Sequence, residues 1–107
     1  MTEMKPAEIQ IRLLYIVKEL EQQTEVAATY STTSLPFAAE MSQIREFATL
    51  AGEYGLAYES LVEAIQSHPF VLSGQAAISL LELGLIFGFK TELAVDRQFD
   101  RRNHIQN

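Results

Sequence analysis

The chain has no cysteine and no tryptophan among its 107 residues. Without thiols it holds no disulfide and no thiolate zinc site, which points to the cytosol as its compartment. Histidine is nearly as scarce, with only His68 and His104. Metal spacings such as H-x₃-H and H-E-x-x-H are therefore missing, and no EF-hand loop is present. Glu59 and Glu63 could join a di-iron carboxylate site, but that chemistry also needs Glu-x-x-His pairs on other helices, and none exists. Cations are short too, at 8 lysines and arginines against 14 acids, for a net charge of −6. Nucleic acid binding requires cations that displace counterions from phosphate, so a direct nucleic-acid ligand is disfavoured. A basic protein partner is favoured instead.

Long apolar runs are also lacking. The most apolar stretch, 78–89, contains Glu82 and falls well short of the ~20 residues that cross a bilayer, so no membrane association is expected. The opening MTEMKPAEI has no basic segment followed by an apolar run, so no secretory signal is expected. At this length one domain is expected, burying somewhat over ~60% of its unfolded surface. The negative charge sits in the body: residues 1–89 hold 11 acids and 4 bases, whereas residues 90–107 hold 3 acids and 4 bases. The expected organisation is a helical domain over 1–89 and a polar tail or short docking helix over 90–107.

What is present is helical periodicity. Pro6 suits the first turn of a helix over about 7–23. Ile9, Leu13, Ile16 and Leu20 form one stripe of it, facing a core. Ile11 and Tyr15 lie on nearly the opposite side, covered by a neighbour or forming an association surface, so a homo-oligomer through them stays open. Residues 24–35, rich in threonine and serine, have no clear period and read as a mobile connection. From Pro36 the positions Phe37, Met41, Ile44, Ala48 and Ala51 repeat at four and three, a second helix. Gly52 and Gly55 then suggest a tight corner made by glycine's access to positive φ. A third helix over 56–67 buries Ala57, Leu61, Ala64 and Ile65, with Tyr58 and Val62 at the border. Pro69 closes it. Ser73 is a candidate N-cap for a fourth helix reaching about Phe87. Its apolar residues run all the way round, with Ile78, Leu81 and Leu85 on one side and Leu80, Leu83 and Phe87 on the other. That pattern predicts the central, fully buried helix, with Gly84 permitting close helix contact. The fold expected is all-α, an antiparallel four-helix bundle, and the tail has room for a short fifth helix.

For catalysis the only starting point is His68 with Ser67, Ser73 or Ser79, and no G-x-S-x-G elbow supports such a pairing. His68 reads more simply as a helix-end residue favoured by the dipole. No enzyme and no cofactor are expected. Binding is the remaining class. Glu53, Glu59 and Glu63, with Tyr54, Tyr58 and Gln66, form an acidic patch with aromatic edges around the corner. Aromatic residues anchor interfaces, while charges set encounter rate and partner choice. Glu53 could instead hydrogen-bond amides at the start of the third helix. The plainer alternative is a solvated acidic face with the tyrosines packed in the core.

The run Ala51-Gly52-Glu53-Tyr54-Gly55-Leu56-Ala57-Tyr58-Glu59-Ser60-Leu61 resembles the MafI-like immunity proteins of bacterial polymorphic-toxin and contact-dependent growth inhibition systems. The Leu-rich Ala77-Ile78-Ser79-Leu80-Leu81-Glu82-Leu83-Gly84 and the close Phe87-Gly88-Phe89 share the likeness, which covers roughly forty residues. Ahead of the fourth helix this chain departs from the pattern, carrying the uncharged His68-Pro69-Phe70-Val71-Leu72 where the family has acids. The resemblance implies a small helical inhibitor that binds a cognate toxin domain in the cytoplasm of the producing cell. The chain's acidity independently suits a toxin with a cationic substrate surface, such as a nuclease. A helical adaptor or homo-oligomerisation module is the other expectation.

Overall fold

In the computed structural model the described residues are 4–33 and 35–87. The expectations for the tail, including a docking helix and the Phe87-Gly88-Phe89 close beyond Phe87, lie outside the described residues. Those described are helical, with four α-helices: α1 (Pro6–Glu21), α2 (Phe37–Thr49), α3 (Tyr54–Ser67) and α4 (Gly74–Ile86). Two 3₁₀ segments, Thr24–Thr29 and Ala51–Glu53, lie in the connections.

α1 is the element on which the others assemble. Pro6 occupies its first turn, and the Lys5 amide donates to Glu8 Oε1 at 3.2 Å. That carboxylate satisfies one of the orphan donors of a helix start. Its stripe is buried as expected, with Val17 added: Leu13, Ile16, Val17 and Leu20 are wholly shielded from water. Burying each such side chain contributes about 1.5–3 kcal/mol. Polar clamps radiate from the same helix. Arg45 of α2 holds Glu21 with two bonds at 2.9 and 2.6 Å, and Gln10 Nε2 donates to the Ala48 carbonyl at 3.2 Å. The hydrogen bond to Glu21 is the main reason the Arg45 guanidinium is held above its ordinary pKa, with burial opposing. On the other side Arg12 pairs with Glu82 of α4 at 2.8 Å. Glu19 accepts from both the amide and the hydroxyl of Ser73, and the Gln23 amide exchanges two bonds with the Val71 backbone.

α4 departs from expectation. Ser73 caps it as predicted, its hydroxyl accepting from the Ala76 amide at 3.1 Å. The helix is not the central element, however. It packs chiefly on α1, and its buried residues are Leu83 and the small Ala76, Ser79 and Gly84. Ile78, Leu81 and Leu85 remain 54%, 62% and 59% exposed. A helix with apolar residues all round needs neighbours all round, and among the described residues this one has them on one side only.

Candidate binding surface

The corner between α2 and α3 positions the predicted acidic patch. α2 stops because Leu50 turns extended, with φ −111° and ψ 114°, and the chain then makes one 3₁₀ turn. The Glu53 amide closes that turn on the Leu50 carbonyl at 2.7 Å. Neither Gly52 nor Gly55 has a positive φ, and Gly55 already belongs to α3. The corner therefore does not rest on glycine geometry, contrary to expectation. Glu53 stands at the N-cap of α3 without a side-chain capping bond, so the alternative role of holding the amides is not taken up.

The aromatic edges of the patch need the larger correction. Tyr58 is 1% exposed and Tyr54 is also buried; both belong to the core. Tyr58 stacks on Phe87 at the end of α4, with ring centroids 5.5 Å apart. The border position that periodicity assigned to Tyr58 is closed because Phe87 at the end of α4 reaches it. What replaces the tyrosines at the surface is leucine. Leu56 and Leu50 are 46% and 51% exposed. At 100° per residue Leu56, Glu59 and Glu63 fall within about 60° of one another, forming one outward stripe of α3. Gln66 is exposed beside it, Glu63 is exposed, and Glu53 and Glu59 are half-buried. Sequence periodicity contains Leu56 on this face, but its residue type reads as core.

Charge is distributed unevenly over the described helices. The α2–α3 hairpin, 37–67, carries five carboxylates (Glu40, Glu46, Glu53, Glu59 and Glu63) against the single cation Arg45. Arg45 is itself committed to Glu21 of α1. Among the described residues Glu46, Glu53, Glu59 and Glu63 have no ion pair or side-chain hydrogen-bond partner as acceptors of a cation. Such like charges repel, and a cation from outside relieves them.

Residues 24–30 border this surface and make more contacts than the composition of the connection suggests. Val26 is buried, anchoring the 3₁₀ turn. Tyr30 lies flat on His68, with rings 3.7 Å apart and 3° from parallel, and meets Phe37 edge-on at 5.7 Å. Thr29 Oγ1 donates to the Val26 carbonyl at 2.7 Å, so its contact with His68 Nδ1 at 2.9 Å places the proton on Nδ1. His68 is thus held from the side by Thr29 and Tyr30, beyond its place at a helix end. The Tyr30 hydroxyl donates to Glu40, and burial followed by that bond raises its pKa above the usual phenol range. Tyr30, Glu40, Glu63, Ser67 and His68 line a shallow cavity of about 210 Å³. The remaining acceptor, His68 Nε2, has no hydrogen-bond partner among the described residues, and no bond joins it to Ser67.

Among the described residues no group of three or more His, Asp or Glu side chains is placed to hold a metal ion. No helix among them is long and apolar enough to cross a membrane. No family model matches the chain, and no characterised protein or solved structure matches it either.

Proposed function

We propose that the protein is a non-catalytic inhibitor, an immunity protein that binds a cationic bacterial toxin domain through the α2–α3 hairpin. The four α-helices act as an antiparallel bundle carrying that hairpin. The observation that supports this reading is the charge segregation: five carboxylates face one cation on the hairpin, and that cation is already engaged by α1. The likeness of 51–61 to MafI-like immunity proteins falls on the same corner. Leu56 and Leu50 supply the apolar contact that the tyrosines do not. Glu59 and Glu63 are the charged contacts, with Glu53 and Gln66 at the rim.

A toxin that acts on RNA or DNA presents a cationic surface to its substrate, and an acidic protein can cover or neutralise it. Opposite charges raise association rates from ~10⁵–10⁶ towards 10⁸ M⁻¹s⁻¹. That speed suits an inhibitor that must intercept an incoming toxin inside the cytoplasm. The test is whether the neighbouring reading frame encodes a large secreted protein with a variable C-terminal domain, followed by co-expression of that domain with this chain. Growth protection together with a stable complex that weakens with salt supports the reading. A toxin domain that neither binds the chain nor is neutralised by it overturns the reading.

A further inference from the structure

The side of the molecule formed by α1 and α4 has the opposite character to the hairpin. Ile78, Leu81 and Leu85 are spaced three and four apart, the a–d–a pattern of a helix that meets another helix. Ile11 and Tyr15 of α1 are 65% and 42% exposed. Between the two helices runs a groove of about 380 Å³ lined by Ile11, Arg12, Tyr15, Gln75 and Ser79. Gln75 lies within about 60° of Ile78 around α4, so the apolar stripe and the groove adjoin on one face. Five large apolar side chains, each more than two-fifths exposed, stand on this face, the apolar centre that an interface of the standard ~800 Å² per partner needs.

We propose that a second copy of this chain docks here, α4 against α4 about a two-fold axis, each stripe entering the groove of the other. Charge favours this occupant. A body of net charge −6 resists self-association wherever its acids gather, and they gather on the hairpin. Residues 5–21 and 74–86 together hold Lys5, Arg12 and Lys18 against Glu8, Glu19, Glu21 and Glu82, nearly balanced. Arg12 and Glu82 pair with each other, and Glu21 pairs with Arg45. A two-fold contact brings the same patch together twice, so it must be self-complementary. A balanced apolar stripe beside a groove meets that condition; the acidic hairpin does not. In the dimer both hairpins stay open, so the proposal stands or falls separately from the reading of the acidic surface.

Sedimentation of the full chain tests it, with three variants. The expected result is a dimer that Leu81→Glu weakens by about tenfold or more, with helical signal and melting unchanged. Glu59→Lys with Glu63→Lys leaves the dimer intact. The chain has no cysteine, so Leu81→Cys, the middle of the stripe, gives a disulfide-linked pair on mild oxidation whereas Glu46→Cys does not. A chain that stays monomeric at about 100 μM, its face covered by residues 88–107 or by an unrelated protein, overturns the proposal. So does a dimer indifferent to Leu81→Glu.

Discussion

A methyl group added at Gly52 meets no atom within 4 Å, and one added at Gly55 touches only the Phe87 ring at 3.9 Å. With no positive φ to preserve, both positions accept alanine. Alanine reduces the freedom of the unfolded chain and, at Gly55, favours the helix. Gly52→Ala and Gly55→Ala are therefore expected to leave stability unchanged or raise it by about 0.4–1 kcal/mol in urea melts. A loss of comparable size would show that the corner does need glycine. Tyr58 is the opposite case. Its truncation to alanine should cost about 3–5 kcal/mol, because the ring is buried in the core and stacks on Phe87. Leu56→Glu, on the outward stripe, should shift stability by no more than about 0.5 kcal/mol. Equal losses from the two substitutions would contradict these placements. The two residues show where sequence stops being informative. Tyrosine suits both a core and an interface, and leucine at an outward position looks like core until the neighbouring helices are in place.

At the scale of elements, residues 24–30 of the connection are held by their contacts with α2 and with the end of α3. Tyr30 to Glu40 and Thr29 to His68 are the polar ties, and the stacked rings are the apolar one. The phenol's pKa is raised in the folded protein, so the folded state keeps the proton where the unfolded chain releases it. Its contribution to stability is therefore complete below about pH 10, the ordinary tyrosine value, and declines as pH rises above it. Tyr30→Phe should cost about 0.5–1.5 kcal/mol at neutral pH for the lost bond. It should also flatten the alkaline limb of the stability profile, measured by denaturant melts from pH 8 upward. An unchanged alkaline limb would remove Tyr30 as its source. Nothing in TEVAATYSTTSL signals this order, because its threonines and serines have no period and the partners lie 10 and 39 residues away. The α-helices were legible for the converse reason. Local repeats of three and four set them, and Pro6, Pro69 and Ser73 mark their ends. Which helix is central was not legible: α4 has the more apolar sequence, but α1 has the neighbours.

Across the whole molecule, two faces with different chemistry follow from this arrangement. α1 gathers the hairpin on one side and α4 on another, so the acids collect on α2–α3 while the exposed aliphatic side chains of α4 stand apart from them. The acidic composition was readable from the first count of residues. Its concentration on one hairpin depended on Arg45 being drawn to Glu21, a partner 24 residues away. The central claim is that uncompensated carboxylates on α3 recognise a cationic toxin domain. Calorimetric titration of that domain with the Glu59→Lys, Glu63→Lys double variant tests it most directly. The expected result is binding weakened by at least about 2 kcal/mol with the helical signal and melting preserved. An affinity equal to that of the unaltered chain would contradict the claim.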